Sequence, residues 1–152
     1  MKSLNQYIQL DNSTITLAIK REDLLHPHIS GNKYRKLKYN LIQAKEENKD
    51  TLLTFGGAFS NHIAALAYAG KLHNFKTIGI IRGDELESKI NENPTLKFAQ
   101  ECGMKFKFET REKYRFKEDS DYIMSLHNEF RDFYLVPEGG TNGLAIKGCL
   151  EI

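Results

Sequence analysis

Two stretches of this sequence carry residue types whose spacing could do chemistry: Ser30-Gly31-Asn32-Lys33-Tyr34-Arg35-Lys36-Leu37 and, farther along, Gly56-Gly57-Ala58-Phe59-Ser60-Asn61-His62. The first sets a lysine on a glycine-flanked turn where a helix begins. A lysine held near backbone donors is what a carbonyl cofactor needs if it is to be captured as a Schiff base and offered to an amine. An ammonium must lose a proton before it can attack an aldehyde, and burial beside cationic neighbours such as Arg35 and Lys36 would favour the neutral amine at Lys33. The competing reading is a solvated lysine at a helix start, which is the ordinary fate of lysine and the one assigned to Lys36 and Lys38.

The second stretch opens another helix with Ser60, Asn61 and His62. Free backbone N–H groups and the positive end of the helix dipole favour an anion there, such as a substrate α-carboxylate. Plain N-capping would account for Ser60 and Asn61 as well, and His62 could meet a substrate or simply pack. A third turn, Pro137-Glu138-Gly139-Gly140-Thr141-Asn142, places Thr141 and Asn142 where they either shape a loop or bind.

The elements that must position these residues can be read from periodicity. Leu4 to Leu10 and Thr14 to Lys20 flank Asp11-Asn12-Ser13, and the alternation of Ile15, Leu17 and Ile19 with polar residues predicts a hairpin with one buried face. Leu37, Leu41 and Ala44 predict an amphipathic helix after Asn32, ending near Asn48. From Thr51, strands and helices alternate: strands at Thr51 to Phe55, Thr77 to Arg82, Met104 to Phe108 and Phe133 to Val136, and helices from Asn61 to His73, from Asn93-Pro94 to Gly103 and across Asp119 to Phe130. Consecutive apolar residues in the second of these strands predict burial on both faces, as in a parallel sheet. Gly83 to Asn91 reads as a polar loop, and Thr110 to Lys117 as ambiguous. The fold class predicted is α/β, an open parallel sheet layered with helices, in which ligands sit beyond the carboxyl ends of the strands. Gly56-Gly57 and Gly139-Gly140 both follow strands and should face one crevice. The last helical pattern is short when the sequence stops at Ile152, so the sequence is expected to be the front part of something longer.

Composition excludes several classes. The 152 residues are 40% hydrophobic and 28% charged, with a formal charge of +2 from 22 basic and 20 acidic residues, which is ordinary for a packed domain. That balance gives no reason to invoke nucleic acid or an anionic membrane. No apolar run approaches the roughly 20 residues of a spanning helix, and the polar N-terminus has no signal-peptide core. Cys102 and Cys149 have no metal-ligand spacing and read as reduced, buried thiols of a cytoplasmic protein; no metal site is predicted. The Gly56-Gly57 stretch is not the dinucleotide fingerprint, which needs a further glycine and an acidic residue where Arg82 stands.

In order, the three motifs, with Arg21-Glu22-Asp23-Leu24 upstream, resemble the pyridoxal-phosphate enzymes grouped as 1-aminocyclopropane-1-carboxylate deaminase and D-cysteine desulfhydrase. The resemblance covers nearly the whole sequence. It implies a fold-type-II architecture: residues 1–47 and 137–152 as pieces of a large domain, residues 48–136 as the small domain, in a homodimer. It also implies pyridoxal 5'-phosphate held covalently on Lys33, with Asn61 bonding the cofactor's ring hydroxyl oxygen, and Ser60 contacting the carboxylate of a small amino-acid substrate or assisting catalysis. Thr141 and Asn142 match the family's turn near the active site, and His62 after Asn61 leans toward sulfur elimination. The phosphate-binding loop of the family lies beyond these residues, so this sequence alone is expected to hold the cofactor weakly and to be inactive. Three function classes follow: a pyridoxal-phosphate deaminase or lyase giving a 2-oxo acid and ammonia; another fold-type-II enzyme, a sulfhydrylase or dehydratase; or a non-catalytic α/β binding domain.

Overall fold

The computed structural model describes residues 2–152. Strands β1 (Asn5–Gln9) and β2 (Thr16–Lys20) form an antiparallel ribbon with Ile8 opposite Leu17. A short 3-10 turn at Glu22–Leu24 leads to α1 (Asn32–Glu46). Then follow β3 (Thr51–Gly57), α2 (Asn61–His73), β4 (Lys76–Arg82), α3 (Pro94–Glu101), β5 (Lys105–Glu109), the single turn α4 (Arg111–Tyr114), α5 (Ser120–Phe130), β6 (Tyr134–Val136) and α6 (Gly143–Cys149). The main sheet has the order β5-β4-β3-β6, and every neighbouring pair is parallel.

The sheet forms as the pattern predicts. Leu52, Leu53 and Phe55 of β3 and Ile78, Ile80 and Ile81 of β4 are buried on both faces, because helices cover the sheet on each side. One apolar layer joins Leu52, Ile81 and Val136 to Ile63 and Leu66 of α2 and Leu96 of α3; the other joins Leu53, Phe55 and Ile80 to Tyr122 and Leu126 of α5. Local signals hold too. The Asn93 side chain accepts from the backbone N–H groups of Thr95 and Leu96 at 3.0 Å each, ahead of Pro94 in the first turn of α3.

Four expectations are corrected. The ribbon has no buried face: every residue of β1 and β2 is exposed, and the apolar side is exposed with the rest, Ile15 at 58%, Leu17 at 45% and Ile19 at 42%. The stretch after β4 is not a loop but 3-10 turns over Asp84–Glu92, kinked at Lys89. Cys102 and Cys149 are half-buried rather than buried. The fourth concerns α1, whose hidden side carries Arg35 and Asn40 besides Leu37, Leu41 and Ala44.

Both polar residues are matched. Asn40 exchanges side-chain hydrogen bonds with Asn142, donates to the Lys36 carbonyl at 2.8 Å and accepts from the Tyr134 hydroxyl at 3.1 Å. Arg35 binds Glu22 through Nε at 2.8 Å and meets Glu151 at 3.6 Å. α6 lies against α1 so closely that a Cβ on Gly148 would stand 2.0 Å from the Arg35 carbonyl oxygen. The first helix is thereby tied to the last.

Candidate active site

Lys33 is the second residue of α1, so its side chain leaves the helix at the end that faces the carboxyl edge of the sheet. Its Nζ donates to the carbonyl of Gly139, 106 residues on, at 3.3 Å. The amine is half-buried; that burial, aided by the positive charge of Lys36 and opposed by Cys149, holds it below the ordinary lysine value. Arg35, expected to contribute, does not: its guanidinium turns away to Glu22. The helix spacing could have singled out Lys36, since residues three apart share a face. Lys36 donates to Thr141 Oγ1 at 2.8 Å.

α2 supplies the facing wall. Ser60 is its N-cap, in extended backbone, with Oγ accepting from the His62 N–H at 3.2 Å. Asn61, the first helical residue, is exposed, and His62 is 2% exposed. Lys33, Ser60, Asn61, His62, Glu138 and Gly139 line one cavity of about 630 Å³, within the range of about 300–1,000 Å³ usual for ligand pockets. Four residues singled out by type therefore meet in one place. Thr141 and Asn142 do not line it: Asn142 caps α6 at the Ala145 N–H (2.9 Å) while bonded to Asn40, and Thr141 serves Lys36.

The glycine pairs were expected in one crevice, and they part. Gly139 borders the Lys33 cavity, whereas Gly57 borders an adjoining one of about 470 Å³ with Phe59, Arg82 and Arg111; Ser60 lines both. A third hollow, about 260 Å³ between α1 and α2, has largely apolar walls that include Ile29, Leu37, Leu41, Ile42 and Leu72, with Lys38, Lys45, His26 and His73 also lining it. Among the described residues, no cluster of three or more His, Cys, Asp or Glu could hold a metal, and no helix is long and apolar enough to cross a membrane.

Two participants lay outside the sequence reading. Glu138 accepts from the Tyr114 hydroxyl at 2.8 Å, which together with burial drives that phenol's pKa far up. Thr54, wholly buried in β3, joins His62 Nε2 (2.8 Å) to the Val136 carbonyl (2.7 Å). A threonine inside an apolar strand carries no local sign of such a partner.

The arrangement has counterparts among known proteins. The chain is 34% identical over 135 residues, 86% of its length, to a Thermotoga maritima protein provisionally named a 1-aminocyclopropane-1-carboxylate deaminase, and covers 41% of it. It is 32% identical over 93% of its length to the mitochondrial bifunctional D-cysteine desulfhydrase/1-aminocyclopropane-1-carboxylate deaminase of Arabidopsis thaliana, covering 37%. Over most of its own length the chain is similar to enzymes named 1-aminocyclopropane-1-carboxylate deaminase and D-cysteine desulfhydrase. A solved structure of a 1-aminocyclopropane-1-carboxylate deaminase homologue superposes with a TM-score of 0.78 at 26% identity, over 99% of this chain and 46% of that one. The chain thus spans about two fifths of the length of the curated relatives it matches. No family model matches it.

Proposed function

We propose that this chain supplies the amine-bearing part of a pyridoxal-phosphate enzyme that converts a small amino acid, 1-aminocyclopropane-1-carboxylate or D-cysteine, to a 2-oxo acid and ammonia. The observation that carries the reading is the Lys33 amine: half-buried, below the ordinary lysine value, and opening on a cavity whose far wall is the start of α2. Residues 1–47 and 137–152 act as pieces of one domain and 48–136 as another, a division supported by the close fit of α6 on α1.

The residues present fit such a cofactor. The cavity offers a nucleophilic amine, an exposed amide at Asn61 and, in His62 Nδ1, a buried acceptor with no partner. Pyridoxal phosphate supplies an electron sink for the pair left when a bond at the substrate's α-carbon breaks. Lys33 would hold its aldehyde carbon, and burial lowers the cost of shedding the proton that the amine must lose before attack. Ser60 Oγ and the unpaired N–H groups of the first turn of α2 would receive the substrate carboxylate, a helix-end attraction of about 0.3–1 kcal/mol. Asn61 would donate to the ring hydroxyl oxygen. Once free, Lys33 Nζ would take the α-proton.

Pyridoxal 5'-phosphate added to the purified chain and fixed with borohydride should label Lys33 ahead of the other lysines, as read by peptide mass spectrometry, and Lys33→Ala should abolish the visible band. Labelling spread over surface lysines, or unchanged in Lys33→Ala, sinks the reading. A product assay for ammonia, sulfide and 2-oxo acid separates the two substrates and sets both apart from a sulfhydrylase.

A further inference from the structure

His62 is at once the most deeply placed titratable group of the cavity and the one with an unanswered atom. The Thr54 hydroxyl has a single proton, and with the Val136 carbonyl 2.7 Å away that proton goes to the carbonyl. The 2.8 Å bond between Thr54 Oγ1 and His62 Nε2 must then be donated by the imidazole, which fixes the tautomer as Nε2–H and leaves Nδ1 a bare lone pair. Nδ1 is buried and has no donor. An unsatisfied buried acceptor is costly and rare in a native fold.

What faces it is the Gly139-Gly140 turn. Gly140 has φ +72°, and a Cβ there would lie 3.6 Å from Nδ1 and 3.3 Å from Cε1. The space beside the ring is therefore kept open by a glycine in the left-handed region. Two ammonium groups act on the imidazole through their charge, Lys33 and Lys36. Lys36 is already committed to Thr141 at 2.8 Å, whereas Lys33 makes only a long 3.3 Å bond to Gly139, one residue from that open space. A lysine ammonium has three protons to give.

We propose that His62 is a positioning residue for Lys33: its bare Nδ1 receives an N–H from the protonated Nζ and holds that ammonium over the floor of the cleft. This rests on Lys33 being the working amine. The ring accepts the hydrogen bond without taking the proton, because burial and the neighbouring lysines drop its pKa to about 3. A proton gathered by Lys33 therefore stays on Lys33, available for return to substrate.

The test uses nuclear magnetic resonance on the whole chain. In ¹⁵N-labelled wild type, the His62 ring should show Nε2 protonated and Nδ1 bare near neutral pH; a protonated Nδ1 overturns the proposal without any variant being made. Titration of Lys33 in protein carrying ε-¹³C-lysine, with the signal assigned from Lys33→Arg, is the second readout. His62→Gln keeps a group near the Nε2 position but loses Nδ1, and should lower the Lys33 midpoint by about one to two pH units, the worth of one hydrogen bond to a charged group. His62→Asn returns an acceptor near Nδ1 and should restore most of the shift. His28, Lys36, Cys149 and Glu138, the other titratable groups that line the cavity or act on Lys33, are the same in both variants. A midpoint unmoved in His62→Gln, or moved equally in both, refutes the idea. Should pyridoxal phosphate fail to label Lys33 while the ring and titration behave as stated, the cofactor reading falls and this one stands.

Discussion

Gly148→Ala probes the junction on which the cavity depends. Gly148 is buried where α6 crosses α1, and its added Cβ would sit 2.0 Å from the Arg35 carbonyl oxygen and 2.9 Å from the carbonyl carbon. Real Cβ contacts essentially never fall below 3.0 Å, so α6 must retreat by about 1 Å or more. The obstacle is backbone, and no side chain can swing aside to relieve it. Overpacking of this kind costs about 1–3 kcal/mol, and replacing glycine by alanine inside a helix returns about 0.5–1 kcal/mol. The two together span a net loss of about 0–2.5 kcal/mol, and a 2.0 Å clash with backbone puts Gly148→Ala in the upper half of that span, seen in urea as a lower midpoint with unchanged slope. Gly143→Ala in the same helix is the control, since nothing lies within 4 Å of its Cβ position and no loss should follow. A Gly148→Ala protein as stable as wild type would show that α6 does not sit on Arg35, and with it would go the placing of the Gly139 wall against Lys33.

Asn93→Ala removes both hydrogen bonds at the start of α3 and should cost about 0.5–2 kcal/mol in the same urea assay, with Asn93→Ser recovering most of it; no loss would mean the cap is idle. His62 gives a pH signature. Its folded pKa of about 3 lies below the ordinary 6.5, so between these values the unfolded chain binds a proton that the folded chain refuses. The stability it contributes is complete above about pH 6.5 and drains as pH falls toward 3, with a slope of up to about 1.4 kcal/mol per unit. His62→Asn should flatten the stability curve between about pH 5 and 6.5 by that one proton, and an unchanged slope would contradict the burial of a neutral ring.

The alternating strands and helices, the Asn93-Pro94 cap and the helix starts at Asn32 and Asn61 were all legible in the sequence. Each is set by neighbours within a few residues: periodic burial, a capping side chain, a glycine turn. The family resemblance also singled out Lys33, Ser60, Asn61 and His62, which the fold gathers around one cavity. Everything that depends on partners far along the chain was hidden. Lys36 reads as a solvated surface lysine until Thr141 is brought to it across 105 residues. Arg35 reads as a cationic neighbour of Lys33 until Glu22 and Glu151 draw it away.

The hairpin shows the same limit from the other side, since alternation announces an apolar face but not whether anything covers it. By itself, then, the sequence determined which segments extend and which coil, because those follow from local sterics and periodicity, while Lys33 was singled out by the motifs that carry the family resemblance. The tertiary structure alone decided the direction in which the Lys33 pKa moves and the tautomer of His62. Both depend on desolvation and on hydrogen bonds that exist only once Thr54, Val136 and the Gly139-Gly140 turn have been packed together.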